Sequence, residues 1–300
     1  MRKPRWTLIL LPIVLALGAC SNNDQQAGSG PGATGSGNVV ESVSKDVALA
    51  NAVPERVKSA GKLIVGVNQP YAPNEYLDEN GKLVGFEVDM MDATGKVLGL
   101  NTDYRQSAFD RIIPAITSGT YDVGLSSFTD TKERQKSVDF VNFFNAGIQW
   151  AAPAGKTVDP ENACGLRVAV QTATVEDTDD VPNRSRACVK AGKPAINLLR
   201  FDSQDDATNA VVLGKADALS ADSPVSAYAV KRSGGKLALA GAITDAAPYG
   251  WPMAKDSPLV ASLQKALQTL MDNGTYDKIC AKWGLQAGAI RAATVNGATS

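Results

Sequence analysis

Short strand-like runs alternate with helical stretches along this chain, and that alternation constrains its fold more than any other feature. Leu63 to Val67 is a β-type run, and apolar residues at helical spacing follow from Phe86 to Val97. Phe109 to Ile116 reads as a second helix, with Pro114 expected in its first turn. Tyr121 to Ser127 then returns as a strand, and the same order recurs later in the chain. Such alternation predicts an α/β protein with parallel sheets.

Charge and composition exclude several classes of function. The 300 residues carry a formal net charge of −1, whereas a nucleic-acid binder should show a basic excess, so we expect no nucleic-acid partner. The chain contains no histidine. That excludes Ser-His-Asp and Cys-His nucleophile systems and histidine-based zinc sites, and we expect neither a metal nor a cofactor.

The N-terminus has the layout of an export signal. Arg2, Lys3 and Arg5 precede an apolar run from Leu8 to Leu17, which is too short to span a membrane. The following Gly-Ala-Cys20 completes a sequence that resembles the lipobox of bacterial lipoproteins. The resemblance implies a signal peptide over residues 1–20 and a lipid (palmitate) on Cys20. A plain secretory peptide with an accidental cysteine is the alternative.

Residues 21–54 are expected to form a flexible tether, because residues 21–38 are mostly Gly, Ser, Ala and other small polar residues. The remaining cysteines fit an oxidising compartment. A Cys164–Cys188 disulfide would close a loop of about 25 residues and stabilise the fold by about 3 kcal/mol. Cys280 lies in a helical pattern and is expected to be a buried thiol.

Four motifs in a fixed order support a family resemblance. Gly85–Met90 (Gly-Phe-Glu-Val-Asp-Met), Asp122–Arg134, Ala216–Asp222 and Asn273–Ile279 together resemble family 3 of the bacterial solute-binding proteins, the polar amino-acid class. The resemblance runs from about residue 62 to residue 284. Thr94 departs from the signature, which has an aliphatic residue there.

This resemblance implies a two-lobed periplasmic-binding-protein (Venus flytrap) fold with two crossing strands as the hinge. Lobe one would comprise residues 55–148 plus 250–285 and lobe two residues 149–249, followed by a loose tail over 286–300. The ligand would lie between the lobes and favour their closed state. The implied function is capture of an amino acid or similar solute for an ABC importer. The protein would act as a monomer outside the cytoplasm, lipid-anchored at the outer face of the cell membrane, with the permease subunits as partners.

Arg134 is the predicted ligand for the substrate carboxylate, since guanidinium offers a planar two-point match and Thr131 could cap the helix turn that holds it. Thr129 should add a hydroxyl and an amide. From spacing alone, Arg134 could instead be a solvated side chain paired with Glu133 or Asp139.

Asp222 is the predicted partner of the substrate ammonium, and the Ser127 carbonyl is a second acceptor. Asp222 could equally cap the helix that begins at Ser223-Pro224. Thr174 matches a family contact, although the family's Gly-Thr-Thr reads Ala173-Thr174-Val175 here.

Tyr71, Phe109 and Asn68 match the positions around the ligand side chain, with a role in the core as the alternative for the two aromatic residues. Family members that take basic or amide side chains often carry an acid at the position of Asn68. An asparagine leaves a cation without a counter-ion, so the sequence predicts a neutral or amide ligand such as glutamine or asparagine. For an acidic ligand, Arg105 and Gln149 are loosely placed candidates.

Two other functions were weighed. A dehydratase on the same scaffold would need a positioned acid beyond Asp222, and none is evident from the sequence, so we expect no catalysis. A receptor's sensor domain is disfavoured, because no transmembrane or signalling segment follows residue 285.

Overall fold

A computed structural model describes residues 39–299. The helices are α1 Val47–Asn51, α2 Glu55–Ala60, α3 Phe86–Val97, α4 Phe109–Thr117, α5 Val181–Lys190, α6 Gln204–Val212, α7 Ser223–Arg232, α8 Leu259–Asp272 and α9 Thr275–Trp283. The strands are β1 Lys62–Val67, β2 Tyr76–Leu77, β3 Leu83–Val84, β4 Asn101–Gln106, β5 Val123–Leu125, β6 Val138–Pro153, β7 Arg167–Gln171, β8 Asn197–Phe201, β9 Ala218–Asp222, β10 Leu237–Ala254 and β11 Thr294–Val295.

Two separate sheets give the molecule its two lobes. In lobe one the strand order is β4-β1-β5, with both pairs parallel. In lobe two the order is β10-β6-β9-β7-β8, and β7 is parallel to both of its neighbours. The α/β class with parallel strands is therefore confirmed.

Two long antiparallel strands connect the lobes. β6 and β10 pair from Leu237–Pro153 at one end to Ala254–Val138 at the other, with register shifts between Ala240 and Thr244, between Thr244 and Ala247, and between Tyr249 and Gly250. These irregularities interrupt the ladder in its middle, where the strands pass from one lobe to the other. The two crossing strands of the predicted fold are therefore present.

Helices cover the sheets with apolar faces that were legible from spacing. α8 buries Leu259, Leu263, Leu267 and Leu270 against the core of lobe one. The expectation for Pro114 was wrong, because α4 begins at Phe109 and Pro114 is its sixth residue. Ser118 nonetheless donates to the Pro114 carbonyl at 3.1 Å, so the helix continues to its end past the proline.

The C-terminal segment is not the loose tail that its composition suggested. β11 pairs with β6, and the Gly297 and Ala298 backbone N–H groups donate to Asn142 Oδ1 and Asp130 Oδ2. Ala298 is 5% exposed. The segment is small and polar because it packs through backbone hydrogen bonds, and these need no large side chains.

The tether prediction was also too long at its C-terminal end. α1 is capped by Asp46, whose side chain accepts from Leu49 N, and Val40, Ala50 and Val53 are buried. The chain is therefore folded from about residue 39. Cys20 and the rest of the proposed signal peptide lie outside the described residues.

The predictions for the other three cysteines are confirmed. Cys164 and Cys188 form a disulfide, which ties the segment before β7 to α5. Cys280 is a free, buried thiol on α9, and burial raises its pKa to about 11. Between residues 39 and 299, no helix is long and apolar enough to cross a membrane.

Candidate functional site

The carboxyl ends of four parallel strands meet between the lobes. Asn68 follows β1 and Ser126 follows β5 in lobe one, while Gln171 and Asp222 are the last residues of β7 and β9 in lobe two. Open α/β sheets place ligands at this edge of the sheet. All four residues are at least nine-tenths buried. Gln171 donates to Asn68 Oδ1, the Ser126 hydroxyl donates to the Asn68 carbonyl, and Asp222 accepts from a hydroxyl of lobe one.

Arg134 lies in the segment that runs from Ser126 to Arg134 after β5, which we call the ligand loop. Its backbone N–H donates to Thr131 Oγ1 at 3.1 Å, as the expected cap requires, although the turn that follows is a short 3₁₀ helix. Its guanidinium donates to the Thr129 carbonyl at 2.8 Å and, across the cleft, to the Ala173 carbonyl at 3.1 Å. Burial lowers the pKa of Arg134, which still leaves an arginine charged.

The surface alternative for Arg134 does not fit this geometry. Glu133 pairs with Lys136, and Asp139 pairs with Lys255 at 2.6 Å. The carboxylates that could have neutralised Arg134 on the surface therefore have other partners.

Two stacked rings support the guanidinium. Phe109 and Phe128 lie 4.4 Å apart between centroids and nearly parallel, with the Arg134 Cζ 5.6 and 5.5 Å from their centres. Phe109 is 9% exposed and belongs to a buried cluster. Its core role and its place beside the cleft are thus compatible, and the stack fixes the position of the arginine charge.

Asp222 bridges the lobes. Its carboxylate accepts a short hydrogen bond from the Tyr71 hydroxyl. Although Asp222 occupies the cap position of α7, its side chain makes no capping hydrogen bond, so the capping alternative is wrong. Burial raises the pKa of Asp222 to about 6, while Tyr71, Tyr249 and Arg134 favour its charged form.

Glu176 is an acid of the cleft that the sequence analysis missed. It opens a π-helical turn, Glu176–Asp180, that leads into α5, and it is 1% exposed. Its Oε1 has no hydrogen-bond partner in the described part of the chain. Burial, followed by the charge of Asp222, raises the pKa of Glu176 to about 8. Its position two residues after Thr174 was the available signal.

Asn68 is already engaged in this structure. Its Nδ2 donates to the Ser107 carbonyl, and its Oδ1 accepts from Gln171 Nε2 across the cleft, both at 2.8 Å. The Thr174 hydroxyl similarly donates to the Gln171 carbonyl at 2.8 Å. Gln171 is therefore a second residue that sequence reasoning missed, and it joins the polar residues of both lobes.

The ligand loop has an unusual backbone at Ser127. Its φ is 49°, a left-handed conformation that a serine seldom adopts. Its N–H and Oγ donate to Glu87 Oε2 at 2.7 and 2.8 Å. Thr129, two residues further on, bridges to Tyr249 on β10, and its carbonyl accepts from Arg134.

Two other candidates lie away from the cleft chemistry. Arg105 is exposed on β4 and paired with Asp103. Gln149 is buried in β6, where its Nε2 donates to the Ala240 carbonyl at 3.0 Å. Neither residue supplies a second cation to a ligand.

The cleft thus sets Arg134 against two buried acids, Asp222 and Glu176. Grooves of about 670 and 790 Å³ lie between segments of the two lobes. Thr129 and Val175 border the larger groove, whereas the three charged residues line neither of them. Across residues 39–299 no cluster of metal-ligating side chains occurs. The arrangement can hold a small molecule that carries both signs of charge.

Comparison with known proteins agrees with this geometry. Residues 63–286 match the model of the bacterial extracellular solute-binding proteins, family 3. The arginine-binding protein ArgT of Corynebacterium glutamicum is 43% identical over 246 residues, which is 81% of each chain.

Solved structures give the same answer. An ancestral arginine-binding protein bound to arginine has a TM-score of 0.68 and 33% identity over 74% of this chain and 98% of its own. The form bound to glutamine matches with the same TM-score and identity over 75% and 98%. An ancestral amino acid-binding protein, a precursor of cyclohexadienyl dehydratase, has a TM-score of 0.66 and 31% identity over 76% and 98%. By sequence, fold and cleft, this chain belongs to family 3 of the bacterial extracellular solute-binding proteins.

Proposed function

We propose that this solute-binding protein of an ABC importer captures a basic amino acid, with arginine as the first candidate. The observation that carries the proposal is the pair of buried carboxyl groups, Asp222 and Glu176, whose charges act on the half-buried guanidinium of Arg134.

The amino-acid end of the ligand would be held by charges from both lobes. Its carboxylate would take the two-point hydrogen bonds of Arg134, with Thr129 and Thr174 at its sides. Its ammonium would bind Asp222 and the Ser127 carbonyl. Each charge of the zwitterion then meets an opposite charge, and the lobe contacts at Arg134–Ala173 and Tyr71–Asp222 would open to admit it.

Glu176 determines which side chain the ligand should carry. After Arg134 and Asp222 are neutralised, Glu176 keeps a buried carboxyl oxygen with no partner within residues 39–299, and a cationic side chain would supply both a charge and donors. Asn68 is compatible with this choice, because its Nδ2 is held by the Ser107 carbonyl and its Oδ1 would become a free acceptor when the contact with Gln171 opens. The prediction of a neutral or amide ligand assumed that no second acid was present, and Glu176 removes that premise.

The relatives support this choice and supply its alternative. ArgT is an arginine-binding protein, and the ancestral protein is known with arginine and with glutamine bound. A protonated Glu176 could donate to a glutamine amide, so glutamine is the competing ligand.

A thermal-shift series over the common amino acids tests the proposal. A ligand at about 100 times its dissociation constant should stabilise the protein by about 2.7 kcal/mol. Arginine is expected to give the largest shift, followed by other cations. A largest shift with glutamine would contradict the assignment of the side chain, and no shift with any amino acid would contradict the ligand class.

Closure of the lobes would report the bound state to the permease, because a ligand held by both lobes favours the closed form. We propose that lobe two spans residues 149–249 and that lobe one, predicted as 55–148 plus 250–285, extends to the packed segments 39–54 and 286–299. We also propose a monomeric protein. Small-angle scattering with and without arginine should show one monomer that becomes more compact.

We further propose that Cys20 carries the lipid that anchors the protein outside the cell membrane. The support is the signal-peptide layout before it and the small polar sequence after it. Cys20→Ala should release the protein from the membrane fraction. A variant that stays in that fraction would contradict the anchor.

We infer binding without catalysis, since ArgT and the ancestral proteins above are binding proteins. Glu176 nevertheless supplies the extra buried acid that a dehydratase would need, and one of those neighbours is a precursor of such an enzyme. If the protein only binds its ligand, an assay with prephenate-like substrates should give no turnover. Measurable turnover that is lost in Glu176→Gln would establish the enzyme instead.

A further inference from the structure

Two fully buried glutamates lie beneath the ligand loop and take no part in the ligand contacts proposed above. Glu75 precedes β2, and Glu87 is the second residue of α3. Both are 0% exposed. Acidic side chains are almost never fully buried unless they are paired, so their presence here needs a reason.

Each glutamate holds one serine of the loop. Ser126 Oγ donates to Glu75 Oε1 at 2.9 Å. The N–H and Oγ of Ser127 donate to Glu87 Oε2 at 2.7 and 2.8 Å. Asn74 adds a bond to Ser127 Oγ at 2.8 Å. Because Ser127 has a φ of 49°, its backbone conformation costs free energy that these bonds must offset.

The other oxygens of the two carboxyl groups, Glu75 Oε2 and Glu87 Oε1, accept from no donor among the described residues. The two carboxyl groups are hydrogen-bonded to consecutive residues, Ser126 and Ser127, which brings them together beneath the loop. Two adjacent buried carboxylates repel, whereas a single proton on one of them removes the repulsion and supplies the missing donor.

We propose that Glu75 and Glu87 share one proton, that the protonated pair positions the ligand loop, and that ligand affinity falls when this proton is lost. The proposal rests on the proposed function for its binding readout, but the shared proton can be measured without a ligand.

The surroundings place the proton on Glu75. Burial and then the charge of Glu87 raise the pKa of Glu75 well above its usual value, and Asp222 adds to the effect. Burial also raises the pKa of Glu87, to about 7, but the Ser127 donors and Trp251 favour its charged form. The other titratable groups that act on the pair are phenols, Tyr71 near Glu75 and Tyr104 near Glu87.

The Glu75→Gln variant distinguishes a shared proton from a merely structural role of the Glu75 side chain. The glutamine carbonyl can accept from Ser126, and its amide can donate to Glu87 as the protonated acid does, but it cannot lose that donor as the pH rises. Glu75→Ala removes both functions. The arginine affinity of each variant is divided by that of the wild type at the same pH. In this ratio the effects of titration elsewhere in the cleft cancel.

We expect this ratio for Glu75→Gln to be close to one at pH 6 and to rise about tenfold by pH 9, the equivalent of one pKa unit. A ratio that stays flat would overturn the shared proton. Glu75→Ala should bind about tenfold more weakly at pH 6, again the equivalent of one pKa unit, and wild-type affinity there would overturn the positioning role.

Urea unfolding of the unliganded protein is the arm that does not depend on the ligand. From pH 6 to 9 the wild type should lose more stability than Glu75→Gln, and parallel profiles would overturn the shared proton. If no amino acid binds the wild type, the proposed function fails. The urea measurement still tests whether Glu75 and Glu87 share a proton.

Discussion

The two walls of the cleft differ in chemistry. Lobe one presents a cation, Arg134, on two stacked aromatic rings, with its acids Glu75 and Glu87 buried underneath. Lobe two presents the carboxyl groups of Asp222 and Glu176 at the cleft itself. A zwitterion binds across such a pair of walls, and the surplus acid lies on the side of lobe two. In the proposed binding mode, recognition of an amino acid is divided between the lobes, so closure would complete it.

The largest expected effect on ligand affinity comes from removing the Arg134 charge that lobe one presents at the cleft. Arg134→Ala should weaken ligand binding by about 2–5 kcal/mol, the usual loss when one partner of a desolvated charge pair is truncated. Isothermal titration calorimetry measures it. Arg105→Ala makes the same charge change at the exposed Asp103 pair and should bind normally. Equal loss in both variants would mean that net charge, and not the Arg134 site, controls affinity.

Lobe two can be destabilised without touching its cleft wall. Cys164→Ser with Cys188→Ser should lower the free energy of unfolding by about 3 kcal/mol, because the disulfide restricts the unfolded chain. The binding constant should stay close to that of the wild type, since neither cysteine reaches the cleft residues. A large loss of affinity in the folded double variant would show that the disulfide shapes the acidic wall.

Removing the acid of lobe two that is proposed to bind the ammonium should have a somewhat smaller effect. Asp222→Asn should weaken binding by about 1.5–3 kcal/mol, the range for hydrogen bonds to charged groups, because the amide can still accept from Tyr71. Asp206→Asn, an exposed position on α6 that lines neither groove, is the matched control and should bind like the wild type. Unchanged affinity in Asp222→Asn would remove this residue from the site.

The raised carboxyl pKa values predict a pH dependence of the empty protein. The folded-state pKa values of Asp222 and Glu176, about 6 and 8, exceed the ordinary values of 3.8 and 4.5 for these side chains. The folded state therefore binds more protons than the unfolded state between about pH 4 and 8, and its stability should fall as the pH rises through this window.

The expected fall is at least about 1.4 kcal/mol, the equivalent of one pKa unit, in urea unfolding of the unliganded protein. Glu176→Gln should have a shallower profile. Stability that rises with pH across this window would mean that these carboxyl groups are not desolvated in the folded state.

Much of the fold was readable from the sequence because its signals are local. Helical spacing in α3, the β-type run of β1 and the sequence of each of the four motifs depend on neighbours along the chain. The Cys164–Cys188 pairing also followed from counting cysteines. The tail after residue 285 was misread because backbone hydrogen bonds to Asn142 and Asp130 leave no trace in its composition.

The acidic wall could not be predicted for a related reason. Glu176 begins the run Glu-Asp-Thr-Asp-Asp, which reads as a solvated surface. Only the packing of the π-helical turn against the cleft buries its first member. Likewise, the hydrogen bond to the Asn68 oxygen comes from Gln171, more than a hundred residues away, and no local signal in the sequence indicates it.

The most direct test of the central claim compares arginine and glutamine on the wild type and on Glu176→Gln by calorimetry. The surplus carboxylate of lobe two should make the wild type prefer arginine. Glu176→Gln should weaken arginine about tenfold, the equivalent of one pKa unit of charge interaction, while changing glutamine affinity less than about threefold on the same scale. Equal effects on both ligands, or a wild type that prefers glutamine, would contradict the account.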